Sequence, residues 1–214
     1  REAVTLTTAL ALFVGVCQLL GPVLAGARPR VVVLELLPSL PLAFAVEPLG
    51  LVFALVASGL WIVNSIYSIG YMRGNQEEKQ TRFYVCFALA IGAALAIALA
   101  ANLFSLFLFY EVLTLVTYPL VTHAGSDKAR KAGRVYLGIL MGTSVLFLLP
   151  AIIFTWHVSG TTEFAPGGIL PANLPPATVT LLLALFMFGI GKAALMPFHR
   201  WLPAAMVAPT PVSA

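Results

Sequence analysis

Long apolar runs separated by short polar loops dominate the chain, and their length is the first clue. A helix crossing the roughly 30 Å hydrocarbon core of a bilayer needs about 20 consecutive apolar residues. Six stretches meet that length, near 4–25, 49–70, 83–101, 103–122, 135–157 and 178–201. The run from 83 to 121 is about twice one span. It is expected to turn near Ala101-Asn102, with Asn102 capping the second helix. Residues 31–47 are also apolar, but Pro38 and Pro41 interrupt them, which favours a surface hairpin over a span. The stretch 158–176 holds Gly160, Pro166, Gly167, Gly168, Pro171, Pro175 and Pro176 and is expected to be an irregular extramembrane loop. Within the fifth span Gly138 and Gly142 form a small-xxx-small pair, expected to serve helix packing.

Charge orients these spans. Alternating six crossings places Arg1, Arg73, Lys79, Arg82, Lys128, Arg130, Lys131, Arg134 and Arg200 on one side, and Arg28 and Arg30 on the other. Nine against two is the asymmetry that marks the cytoplasmic side, so the 71–82 and 124–134 loops are expected to face the cytoplasm. The expected location is a bacterial inner (plasma) membrane, crossed several times. Arg1, the first apolar run and Ala25-Gly26-Ala27 also fit a signal peptide. The run is long for that, and a retained helix is the preferred reading.

Composition agrees. Apolar residues make up 60% of the 214 and charged residues only 9%, with a mean hydropathy of +0.99. Soluble domains carry roughly 25% charged residues. The net charge of +4 does not indicate nucleic acid, because the basic residues sit in loops between apolar runs. Cys17 and Cys86 lie inside apolar runs and imply neither a disulfide framework nor a metal site. There is no Gly-rich dinucleotide motif and no cysteine cluster for iron–sulfur, so no cofactor, no metal and no covalent catalytic residue are expected on this chain. Both ends of the sequence read as cut, the C-terminus more firmly.

Two ionisable residues lie deep in spans, Glu111 and Lys192. A charge near a helix centre costs about 2.5–3.5 kcal/mol on insertion scales, so such residues point to an ion path or a charge pair. Thr114, Tyr118 and Thr122 share a helix face with Glu111, and this polar stripe suits a hydrated cavity or a facing polar helix. The competing reading is a carboxylate that only pairs with a neighbouring subunit or a lysine. Lys192 sits in Gly189-Ile190-Gly191-Lys192-Ala193-Ala194-Leu195-Met196-Pro197. Pro197 lacks an N–H and clashes with the carbonyl of Ala193, so the helix should open just beyond the lysine. Broken backbone in a membrane is tolerated where it lines a cavity or is buried in protein. In an unbroken helix His199 would share the face of Lys192; it is a candidate third proton carrier or an interfacial histidine. His123 and His157 end spans and are read as interfacial. A lysine whose carboxylate partner comes and goes can release and regain a proton. A retinal-type receptor, with Lys192 as Schiff base, fits poorly beside Pro197 and the small residues around the lysine.

At these residues the chain resembles a known family. Phe109-Tyr110-Glu111 looks like the key-glutamate helix of the antiporter-like membrane subunits. Gly191-Lys192-Ala193, Pro197-Phe198-His199-Arg200-Trp201-Leu202-Pro203 and Ala208-Pro209-Thr210-Pro211-Val212-Ser213-Ala214 look like their broken helix and the start of the next. That family unites the proton-pumping membrane subunits of complex I, the NADH:quinone oxidoreductase, with those of energy-converting hydrogenases and the multisubunit Mrp-type cation/proton antiporters. The resemblance covers about residues 47–214. The runs imply an all-α polytopic bundle of about six transmembrane helices, with a first helix and extracytoplasmic hairpin in 1–48, and the resemblance implies the N-terminal part of a proton-translocating domain in 49–214. It implies that Glu111 pairs with the lysine and that Lys192 passes protons inward, with Pro197 at the helix break. It also implies other membrane subunits as partners and protons as cargo, exchanged for Na+ or another monovalent cation in an Mrp complex. Many complex I members carry Asp where Ala204 stands. Together with Tyr71-Met72-Arg73, this leans towards the D-type subunits of the Mrp antiporters. The alternative is a proton-pumping component of a quinone oxidoreductase or hydrogenase; as an enzyme it would contribute no catalysis alone.

Overall fold

The computed structural model describes residues 1–37 and 40–213; Pro38, Ser39 and Ala214 lie outside the described residues. The apolar runs form most of the helices: α1 (Glu2–Gln18), α2 (Leu20–Leu24), α3 (Pro48–Gly74), α4 (Gln80–Ala98), α5 (Leu103–Val121), α6 (Asp127–Thr143), α7 (Leu149–Ser159), α8 (Pro176–Gly189), α9 (Trp201–Ala205) and α10 (Thr210–Ser213). Among the described residues, five helical stretches are long and apolar enough to cross a membrane: Glu2–Leu24, Pro48–Gly74, Gln80–Ala98, Leu103–Val121 and Asp127–Ser159. The sixth apolar run holds only the shorter helix Pro176–Gly189. The all-helical expectation holds, and the roughly six expected helices are five full-length ones and one broken one. The first run is a helix packed on the bundle: Val16 and Val23 join Leu51, Ala54 and Leu95 in one buried cluster.

The expected turn is where the polar residue placed it. Asn102, fully buried, accepts the Ser105 N–H at 2.7 Å and caps α5. Its amide also donates to the carbonyl of Pro41 at 2.8 Å, which fastens a two-stranded antiparallel hairpin, β1 (Arg30–Leu37) and β2 (Leu40–Ala45), over the turn. The Ala45 N–H donates to the Leu99 carbonyl at 2.8 Å, and the Ala101 N–H to the Ala43 carbonyl at 3.0 Å. Arg30 and Glu163 add an ion pair of 2.8 Å. At the opposite, basic end, Arg73 donates through Nε to Glu2 at 3.0 Å and ties α3 to α1.

Two irregularities shape the middle of the bundle. Between α6 and α7, residues Ser144–Leu148 form a π turn. Pro150 explains it: with no N–H and a ring that crowds the carbonyl four residues back, it disfavours a regular α turn there. Thr143 and Ser144 donate their hydroxyls to the Ile139 and Leu140 carbonyls, each at 2.9 Å, and help widen the helix. The second irregularity is the end of α8. The helix stops at Gly189, continues as a single 3-10 turn at Gly191–Ala193, and Ala194 adopts a left-handed conformation at φ +52°. The break thus opens before Lys192, earlier than expected, and continues past it through Pro197.

Glycine makes the two irregularities fit together. A Cβ at Gly189 would lie 2.6 Å from the Leu148 nitrogen, and one at Gly191 would collide with Thr143 Oγ1. The two glycines beside the lysine let the break press against the π turn. We expect Gly191→Ala to lose about 1–3 kcal/mol of stability through overpacking, read as a lower melting midpoint of the detergent-solubilised protein. Thr143→Ala should recover part of that loss by vacating the hydroxyl. Gly138 and Gly142 behave differently: an added Cβ would meet nothing within 4 Å at either. Their expected packing role finds no partner among the described residues of this chain.

Candidate functional site

The break in the sixth run aims Lys192 at the middle of α5. Its ammonium donates to the Tyr110 carbonyl at 2.9 Å and to Thr114 Oγ1 at 2.5 Å. Nζ lies 3.3 Å from the centroid of the Tyr110 ring. The Thr114 hydroxyl donates in turn to the Tyr110 carbonyl at 3.0 Å, which leaves its lone pairs for the lysine. Thr114 is fully buried. Because Thr114 lies four residues after Tyr110, one helical turn presents both acceptors on the same face.

The main chain of the break is held as firmly as the side chain. The Lys192 N–H donates to the Tyr110 hydroxyl at 3.0 Å. The Gly191 carbonyl accepts from Trp201 Nε1 at 2.8 Å. Trp201 stands edge-on to Tyr136 with ring centroids 5.7 Å apart, and the Tyr136 hydroxyl is 2.7 Å from Thr117 Oγ1. Backbone groups released by the break are thus partnered by aromatic side chains with polar tips, as buried backbone in a membrane requires.

Glu111 lies beside this cluster and outside its hydrogen bonds. Both carboxylate oxygens are buried without a hydrogen-bond partner among the described residues. Glu111 is within electrostatic reach of the ammonium, yet no direct ion pair joins them among the described residues. A buried carboxylate without hydrogen bonds is costly if ionised, and Glu111 stands next to an ammonium that is docked on other groups.

The rest of the polar stripe divides. Thr114 contacts the lysine, whereas Tyr118 and Thr122 sit against α6, where an added Cβ at Gly133 would lie 2.9 Å from the Tyr118 ring. That stretch packs against a helix, the second of the two expected surroundings. His199 is exposed on the 3-10 turn Phe198–Arg200 and makes no hydrogen bond to the Lys192 cluster among the described residues. Because the helix breaks before it, the shared face with Lys192 does not form. Pro197 follows a cis peptide bond within the break. Sequence reasoning missed Tyr110, Tyr136 and Trp201 as contributors. Their signal was an aromatic ring with a polar tip inside an apolar run, next to an ionisable residue.

His157 is exposed at the end of α7, as an interfacial histidine would be. His123 is not: it is only 5% exposed. Its Nε2 lies 3.8 Å from the Glu77 carboxylate, its carbonyl accepts from Arg82 at 3.2 Å, and its ring packs edge-on to Phe83. Burial, with the Arg82 charge adding to it and Glu77 opposing, holds its imidazole below the ordinary value of about 6.5. The unfolded chain therefore binds this proton more readily than the folded one, and stability falls as pH drops through about 6.5 towards the folded value. We expect the melting midpoint in detergent to fall between about pH 7.5 and about pH 5, and His123→Gln to flatten that slope.

Comparison with known proteins places this geometry in a family. Residues 100–214 match the family described as NADH:quinone oxidoreductase/Mrp antiporter, transmembrane. Residues 38–84 match the N-terminus of chain 5 of the NADH-ubiquinone oxidoreductase, complex I. Among curated relatives, the A-type component of the Na(+)/H(+) antiporter of Alkalihalophilus pseudofirmus is 33% identical over 189 residues, 83% of this chain and 22% of that protein. The NAD(P)H-quinone oxidoreductase subunit 5 of the Paulinella chromatophora chromatophore is 30% identical over 186 residues, 82% of this chain and 27% of that protein. The chain thus spans about a quarter of the length of these relatives. One is an A-type antiporter component and the other a fifth oxidoreductase subunit, where the motifs leaned towards the D-type. Among solved structures, a chain of the Mrp complex from Dietzia sp. DQ12-45-1b superposes with a TM-score of 0.79 at 21% identity, over 99% of this chain and 39% of that one. The chain belongs to the NADH:quinone oxidoreductase/Mrp antiporter transmembrane family.

Proposed function

We propose that this chain is part of an ion-translocating membrane protein that moves protons across a bacterial inner membrane, in exchange for Na+ or another monovalent cation, within an Mrp-type complex. The observation that carries the reading is the docking of Lys192 in a helix break, within one turn of α5 of Glu111, whose carboxylate oxygens are buried and unpartnered among the described residues. The pair can hold and hand on a proton with no covalent intermediate, because the ammonium has two places to rest. Thr114 and the Tyr110 carbonyl hold it in one, and the Glu111 carboxylate supplies the other. In this reading residues 1–48 form an anchoring helix and hairpin, and residues 49–214 belong to the translocating domain. The break around Pro197 gives the lysine its freedom, and His199 is the next proton carrier beyond it. Other membrane subunits are the partners.

A second reading is a proton-pumping component of an NADH:quinone oxidoreductase or hydrogenase, favoured by the subunit 5 relative. In it the same residues move protons, while redox centres belong to partner chains. Everted vesicles carrying the complete complex separate the two. After a pH gradient is set up, adding Na+ or K+ should collapse it through an antiporter, read as recovery of a quenched pH-sensitive dye. A gradient that forms only with NADH or reduced donor, and ignores added cations, assigns the pump. No response to either removes both.

A further inference from the structure

Tyr110 touches Lys192 in three ways that no other residue of the site combines. Its hydroxyl accepts the Lys192 N–H at 3.0 Å, its carbonyl accepts the ammonium at 2.9 Å, and its ring lies 3.3 Å from Nζ. The first contact fixes the backbone of the break and the other two fix the side chain. The residue itself is anchored, 6% exposed, in a cluster with Leu148 and Ile152 that includes the end of the π turn. From this we propose that Tyr110 is the positioning residue for Lys192: it docks the lysine away from Glu111, so that the lysine shuttles between an aromatic station and a carboxylate station on neighbouring residues of α5.

Two further features support the assignment. An ammonium makes at most three hydrogen bonds, and here two go to oxygens while a ring face takes much of the remaining charge. The docked state therefore stands without the carboxylate, which is why Glu111 can be left unpartnered. The glycines on either side of Ile190 give the 3-10 turn the close seat against Thr143 and Leu148 that brings the Lys192 N–H to the phenol. The inference rests on the proton-moving reading of Lys192, and its test separates the two.

Tyr110→Phe keeps the ring and the carbonyl and removes only the hydroxyl. A residue that merely fills the core would tolerate it fully. A positioning residue should not: transport by the full complex should fall about fivefold, the size of one lost hydrogen bond of about 1 kcal/mol, and the pH at half-maximal rate should move. Normal assembly on native gels with an unchanged rate and pH profile would overturn the proposal, even where Lys192→Arg abolishes transport and the reading of the lysine stands. A second measurement needs no variant that could fail to assemble. The aromatic ring should shift the NMR signals of the Lys192 ε-methylene upfield of those of Lys79, Lys128 and Lys131 in the wild-type complex. Lys192 signals at the positions of the exposed lysines would overturn the docking.

Discussion

Lys192→Arg is expected to assemble normally and to lose transport on the order of a hundredfold, the scale of a lost proton-transfer group. The argument turns on what the two side chains share. Both are cations, and an arginine can donate to the Tyr110 carbonyl and Thr114 hydroxyl that hold the ammonium. A site that needs only positive charge would therefore accept it. Arginine cannot give up its proton at working pH. A site that passes a proton through the lysine is blocked by it, although charge and docking survive. Lys192→Ala should fail as well, because it removes the ammonium that rests on the Tyr110 carbonyl and Thr114 and the group that would carry the proton. The measurement is quenching of a pH-sensitive dye in vesicles, with assembly checked on native gels. Near-wild-type rates for the arginine variant would remove proton passage and leave Lys192 as a structural cation.

Glu111→Gln is expected to assemble and to lose transport roughly tenfold, equivalent to about 1.4 kcal/mol of lost charge–charge interaction. Glutamine has the size and hydrogen-bonding reach of glutamate without its charge. The carboxylate oxygens have no hydrogen-bond partner among the described residues, so the substitution breaks no hydrogen bond there and should stabilise the folded chain or leave it unchanged. That combination is the diagnostic. A purely structural carboxylate would show the opposite pattern, lower stability with normal transport. Glu111→Asp should be milder in transport, because the charge survives and only its reach is shortened. Wild-type transport with glutamine would reduce Glu111 to a bystander of the lysine.

The sequence by itself determined the helices, the turn and the two charged residues. Apolar run length reports spans because the bilayer core has a set thickness. Asn102 reports its own turn because a capping side chain acts on a neighbour three residues away. The prolines of residues 31–47 reported a hairpin because they spoil a helix more than an edge strand. Glu111 and Lys192 stood out because charge inside hydrocarbon is expensive wherever it lies. What only the tertiary structure decided is everything that depends on distance across the bundle. Pro197 led to a break after Lys192, but the break begins at Gly189, because packing of two glycines against the π turn competes with the local effect of proline. The stripe below Glu111 divided into a contacting Thr114 and a packed Tyr118 and Thr122, because only the seating of α6 says which part of a helix face is covered. Tyr110 could not be seen as the partner of a residue 82 positions away, since nothing in the spacing of residues along a chain encodes which two helices will touch.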